Sequence, residues 1–251
     1  MRKEKCRDLE LIPPLNEIKA MFFDMDDTLV KYREPVMAGF NSIKESFPEL
    51  ENAIVEDMMD QFRELFSYEA VLNREVSYRE DISIRLSRIL NDLGMDADDE
   101  KLHFSSVFWR AFWKKRRMVD GAKDILQLCR NMNIPVAVIT NGNPQIQFRT
   151  MIRLKLHDYI DVILTPRTID EVKPNNSLFH KAMNIFDIGP EGVVMIGDSF
   201  SADMVGAMNA GIIPVWLNIS GNDRPEDGEV AEISSLCELV DLIRKGDDKD
   251  E

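Results

Sequence analysis

Five short apolar runs recur along the chain, at 18–23, 135–139, 160–164, 192–196 and 213–217. Turn-forming residues follow each one, and in most cases a helical pattern comes next. Two runs, Val136-Ala137-Val138-Ile139 and Val193-Val194-Met195-Ile196, are apolar at every position. A strand with one wet face alternates, whereas a strand apolar throughout is covered on both faces. Strands of that kind alternating with helices predict an α/β fold with a Rossmann-like parallel sheet. Between 31 and 118 the period changes. No convincing strand occurs there, and apolar residues recur at three- and four-residue spacing over 51–70, 78–93 and 101–115. That spacing predicts an all-helical cap domain inserted between the first and second strands. Leu102, Val107, Phe108, Phe112 and Trp113, with Phe104 and Trp109 alongside, belong to the last of these helices, and its aromatics read as a packed face.

The expected layout is therefore a core of 1–30 and 119–245, a helical insert of 31–118, and a disordered acidic tail of 246–251. The basic run Lys114-Lys115-Arg116-Arg117 closes the insert. It reads as a solvated helix end, where cations complement the helix dipole. The sharper reading puts one of these cations over an anionic substrate.

With 251 residues, 44% of them hydrophobic, the chain can bury a sizeable core. It has no uninterrupted apolar stretch of about 18 residues and no apolar leader in its first fifteen, so a cytoplasmic protein with no membrane partner is expected. Cys6, Cys129 and Cys237 are far apart and form no CxxC pair, and His103, His157 and His180 have no ligand spacing. A net charge of −14 disfavours nucleic-acid polymers as partners, and would repel a phosphorylated metabolite unless the site carries its own cations. A monomer and a homodimer are equally compatible with the sequence.

Chemistry gathers at the ends of the strands. The first ends in Asp24-Met25-Asp26-Asp27-Thr28, three acids on one tight junction. Like charges repel and desolvation disfavours carboxylates, so a bound divalent cation is the ordinary way to offset such a cluster, and oxygen ligands suit magnesium. The second strand ends in Thr140-Asn141-Gly142, a hydroxyl and exposed N–H groups of the kind that hold phosphate oxygens. After the third comes Lys173-Pro174, where a proline in the first helical position would set Lys173 at an anion-friendly helix mouth. The fourth ends in Gly197-Asp198, with Asp203 five positions on. Each signal alone also fits an ordinary turn or cap. Together they lie at successive C-terminal ends of a parallel sheet, where open α/β folds bind ligands.

In these four motifs the chain resembles the haloacid dehalogenase superfamily, whose phosphatases carry DxDxT, a strand ending in Thr or Ser, a downstream Lys, and GDxxxxD. The insert is similar to that family's C1 cap, which closes over the site. The stretches Thr140-Asn141-Gly142-Asn143-Pro144-Gln145, Gly206-Ala207-Met208-Asn209-Ala210-Gly211 and Trp216-Leu217-Asn218 resemble a branch containing pyrimidine 5′-nucleotidases and N-acylneuraminate-9-phosphatases. The resemblance implies a magnesium-dependent phosphatase acting on a nucleoside monophosphate or sugar phosphate. It implies Asp24 as nucleophile and Asp26 as acid and base, with Lys173 offsetting charge. Thr140, Asn141, Gly142 and Lys173 would hold phosphate. Magnesium would be held by Asp24, the Asp26 main-chain carbonyl and Asp198, with Asp203 in support. Family members that dehalogenate lack an acid at the position of Asp26, so that residue favours phosphoryl transfer. A sugar phosphomutase on the same core, a phosphorylated receiver and a non-catalytic phosphate-binding protein are the competing readings. Receivers are about half this length and place their acidic pair before the phosphorylated aspartate.

Overall fold

A computed structural model describes residues 7–66, 82–94, 101–225 and 228–247. The expectations for Cys6 and the rest of 1–6, for the ends of two helical patterns (67–70 and 78–81) and for 248–251 lie outside the described residues. In chain order the elements are β1 (Ala20–Phe23), α1 (Arg33–Ser46), α2 (Val55–Phe66), α3 (Ile82–Asp92), α4 (Lys101–Lys115), α5 (Ala122–Asn131), β2 (Val136–Ile139), α6 (Pro144–Arg153), β3 (Val162–Leu164), α7 (Ser177–Phe186), β4 (Val193–Gly197), α8 (Val205–Ala210), β5 (Ile213–Leu217), β6 (Ala231–Ile233) and α9 (Leu236–Asp247). They fall into two compact units, one of Met1–Val30 with Met118–Glu251 and one of Lys31–Arg117. Among the described residues no helix is long and apolar enough to cross a membrane.

The first unit is built on a six-stranded parallel sheet in the order β3-β2-β1-β4-β5-β6. Successive side chains on each strand face opposite sides, and both sides are packed. Met21, Phe23, Val136, Val138, Val194 and Ile196 meet Ile125, Leu126 and Cys129 of α5 and Leu239, Val240 and Ile243 of α9. Ala20, Phe22, Ala137, Ile139, Val193 and Met195 meet Leu178, Phe179, Ala182 and Met183 of α7 and Ala207 and Ala210 of α8. This double burial is why the strands read as unbroken apolar runs. The strand order reverses between β1 and β4, so the crevice beyond their carboxyl ends is the topological switch point of the sheet.

The sixth strand has no counterpart in the sequence reading. Its three residues, Ala-Glu-Ile, carry no periodicity, and its pairing comes from distant chain. β5 supplies the ladder, Glu232 N–H donates to the Arg7 carbonyl at 2.8 Å, and Arg7 Nε donates to the Glu232 carbonyl at 3.1 Å.

The second unit is helical. Its α1 lies outside the three helical patterns of the sequence, although Val36, Gly39, Phe40 and Ile43 are buried at helical spacing. Phe40, Phe62 and Phe108 interlock with ring centroids about 5–6 Å apart, and Phe104, Phe108 and Phe112 are fully buried. Leu102, by contrast, is 73% exposed, on the opposite side of α4. The basic run is not a uniformly solvated end. Arg116 is buried, its guanidinium lies 5.6 Å from the Tyr32 ring centroid and 5.4 Å from that of Phe112, and Nη1 donates to the Lys31 carbonyl at 2.8 Å. Two cation–π contacts and a hydrogen bond from a charged donor should together be worth about 1–3 kcal/mol. Arg116→Ala is expected to lose that much in urea unfolding followed by tryptophan fluorescence, since Trp109 and Trp113 report on this unit. An unchanged midpoint would show that the stacked cation makes no net contribution to stability.

Candidate active site

β1 ends where Asp24 N–H donates to the Ile196 carbonyl of β4, at 2.9 Å. The chain then folds back at once. Leu29 and Val30 N–H both donate to the Met25 carbonyl, Asp27 N–H donates to the Val30 carbonyl, and Asp27 takes a φ of 57°. This tight return keeps Asp24, Asp26 and Thr28 close to the sheet end.

Lys173 lies at the centre, 2% exposed. Its Nζ donates at 2.6 Å to Asp24 Oδ1, to Asp203 Oδ1 and to the Ile139 main-chain oxygen. An ammonium has three protons, so all three are used, and the lysine acts here as a buried counter-charge. Burial works against its charge, but the carboxylates of Asp203 and Asp24 outweigh it and hold its pKa above the usual lysine value. The helix-mouth expectation is corrected. Helix α7 starts at Ser177 and Pro174 lies ahead of it, because Asn175 N–H closes a turn onto the Val172 carbonyl. What fixes Lys173 is Asn141, whose side chain accepts from Lys173 N–H at 2.8 Å and donates to its carbonyl at 3.0 Å.

Asp198 follows β4. Its main-chain oxygen accepts from Trp216 Nε1 at 2.8 Å and its Oδ1 from Thr28 Oγ1 at 3.3 Å. Asp203 lies in a single π-helical turn, Phe200–Met204, a wide turn often found at functional sites. Its Oδ2 accepts from Ser199 N–H at 3.1 Å while Oδ1 takes the lysine. Gly197 permits this approach, for a methyl there would collide with the Asp203 carboxylate.

One carboxylate oxygen from each of Asp24, Asp198 and Asp203 lies within 4.8 Å of the others. Burial, reinforced by the Asp203 and Asp26 charges and opposed by Lys173, pushes the Asp24 carboxyl up to about 7. Burial, with Asp24, Asp203 and Asp27 adding to it, pushes Asp198 up to about 8. A single lysine does not balance these acids. The excess negative charge and all-oxygen donor set fit a hard divalent cation.

Asp26, Thr140 and Gly142 form an adjoining cluster. Thr140 Oγ1 accepts from Gly142 N–H at 3.0 Å and from Gln147 Nε2 at 3.3 Å, and the same amide nitrogen donates to Asp26 Oδ2 at 2.6 Å. Gln147 and Trp216 are the site residues that motif reading left without a role. A trace of Gln147 is nevertheless legible, since it sits with Ile146, Thr150 and Met151 on the buried stripe of α6, where an amide requires partners.

The family model for haloacid dehalogenase-like hydrolases matches residues 21–217. A glyceraldehyde 3-phosphate phosphatase of Pyrococcus furiosus is 27% identical over 245 residues, covering 94% of this chain and 98% of the relative. The N-acylneuraminate-9-phosphatase of Mus musculus is 25% identical, covering 94% and 97%. Among solved structures, the HAD-hydrolase YfnB from Bacillus subtilis, bound to magnesium, superposes with a TM-score of 0.67 at 21% identity, over 90% of this chain and 99% of that one.

Proposed function

The chain belongs to the haloacid dehalogenase-like hydrolase family, and from that premise we propose that it is a magnesium-dependent phosphatase in which Asp24 attacks a small phosphorylated metabolite. One observation carries this reading: a buried carboxylate, Asp24, is held at 2.6 Å by a buried lysine at the switch point of the sheet, with a second acid two residues along.

Asp24 forms a bond to phosphorus as the bond to the leaving oxygen breaks, giving an aspartyl-phosphate that water then hydrolyses. Asp26 protonates the leaving oxygen and later takes a proton from that water. Lys173 keeps positive charge beside the attacking carboxylate, and Asp203 and Asn141 hold the lysine there. Thr140 already uses both acceptor sites of its hydroxyl, so its proton is left to donate, and a phosphoryl oxygen is the acceptor that suits it. The Asp24 and Asp198 carboxylates and the Asp26 main-chain carbonyl would hold magnesium, which would supply positive charge to the phosphoryl group. YfnB, with magnesium bound, supports that choice of metal.

The relatives' names support a small phosphorylated metabolite and include both phosphorylated sugars and pyrimidine nucleotides. Purified protein with magnesium, screened against phosphorylated sugars and nucleotides, is expected to release stoichiometric inorganic phosphate and to stop on addition of a chelator. An isomerised phosphate ester without phosphate release would instead identify a mutase.

A further inference from the structure

Gln147 is 1% exposed, and its amide nitrogen reaches beyond the helix it sits on. Its nitrogen spans two groups far away in sequence terms from each other: Asp26 Oδ2 at 2.6 Å and Thr140 Oγ1 at 3.3 Å. With its nitrogen toward Asp26 the amide donates to the carboxylate, the pairing that suits Asp26 when it is ionised. The neighbourhood is shaped around this contact. A methyl group at Gly142 would run into the Gln147 amide nitrogen and lie 3.0 Å from Asp26 Oδ2. Helix α6 is itself anchored at its start, where the Asn143 side chain accepts from Gln145 N–H at 2.9 Å and Pro144 sits in the first turn. Gln147 therefore projects from the first turns of a capped helix, a rigid support for a side chain that must hold another in place.

We propose that Gln147 is a positioning residue for the reaction, orienting the Asp26 carboxylate for proton exchange and tying it to the phosphate-binding hydroxyl of Thr140. The proposal rests on the phosphatase reading above. The N–H donor on Oδ2 fixes the direction of the Asp26 carboxylate. In the first half-reaction Asp26 gives its proton to the leaving oxygen as the Asp24–phosphorus bond forms and the bond to that oxygen breaks. In the second, water attacks phosphorus, its proton passes to Asp26, and the Asp24–phosphorus bond breaks. Between the two, Asp26 is a carboxylate that must not swing away, and Gln147 holds it.

The test compares p-nitrophenyl phosphate, whose leaving group needs little protonation, with phenyl phosphate, whose leaving group needs more. Gln147→Met, similar in length but without a donor, is expected to lose about 10–100-fold more kcat/KM on phenyl phosphate than on p-nitrophenyl phosphate, a part of what general acid catalysis supplies. Gln147→Leu, shorter and likewise without a donor, is expected to show the same widening and carries the test if the methionine variant does not fold. Equal losses on both substrates in these variants would mean a generally loosened site and would overturn the proposal, as would an unchanged ratio at full activity. Wild-type protein with no magnesium-dependent turnover, or an Asp24→Asn variant as active as wild type, would overturn the phosphatase reading and this role with it.

Discussion

Asp24→Asn is expected to lose magnesium-dependent hydrolysis of p-nitrophenyl phosphate by at least about 10⁴-fold and yet, in chelator above pH 8, to melt at a higher temperature than wild type. The activity loss follows because an amide cannot form the aspartyl-phosphate. The stability gain follows from charge. Burial raises the Asp24 carboxyl from 3.8 to about 7 and the Asp198 carboxyl from 3.8 to about 8. Between 3.8 and those values the folded protein holds protons that the unfolded chain has released, so metal-free stability falls as pH rises through that window. Above pH 8 the whole cost is present, and asparagine, with the same shape and no charge, removes the Asp24 share of it. Held as proposed, magnesium would bind only the folded state with its acids ionised, so it should raise the wild-type melting temperature most at that same pH and raise the variant's much less. Thermal melts at pH 5 and pH 8.5, with and without magnesium, read all four cases. A variant that melts below wild type at pH 8.5 in chelator would mean that the bond to Lys173 outweighs repulsion among the acids, and that a cation is not needed to relieve them.

The opposite signs of those two effects bear on what the sequence could reveal. Acids placed where they destabilise the protein stand out, because packing gives no reason for them. Asp24 and Asp198 are legible for that reason, each directly after a buried strand, and β1, β2, β4 and β5 are legible because burial on both faces leaves long apolar runs. Other features are defined by partners distant in the chain. β6 is three residues whose pairing depends on β5 and on Arg7, and no local pattern announces it. Pro174 points to a helix start beside Lys173, yet the lysine's environment is set by the Asn141 side chain 32 residues earlier. Gln147 meets Asp26 across 121 residues. Local pattern identifies which residues are out of place for packing, while tertiary structure decides what holds them.

Lys173→Met is the sharper test of that division, because it removes the buried cation around which the acids are arranged. Methionine fits the length of the buried stem but leaves the Asp24 and Asp203 carboxylates and the Ile139 carbonyl without their shared donor. Breaking a buried ion pair from one side typically costs about 3–5 kcal/mol, and this lysine serves two carboxylates at once. We expect a loss of that order in urea unfolding at pH 8 without metal, and a fall in kcat of about 10³-fold or more. The wild-type lysine is held above its ordinary 10.5, so its contribution is complete below pH 10.5 and lost only as pH rises beyond. The variant's deficit should therefore be steady between pH 8 and 10. It should shrink toward pH 5, where the orphaned carboxylates can take up protons. Lys173→Arg should not restore either property, because a planar guanidinium spreads its donors and cannot bring one nitrogen to three acceptors at 2.6 Å. Equal urea midpoints for wild type and Lys173→Met at pH 8 would mean that the carboxylates share their charge with solvent or with each other's protons. In that case the lysine could not be the counter-charge that makes Asp24 a nucleophile.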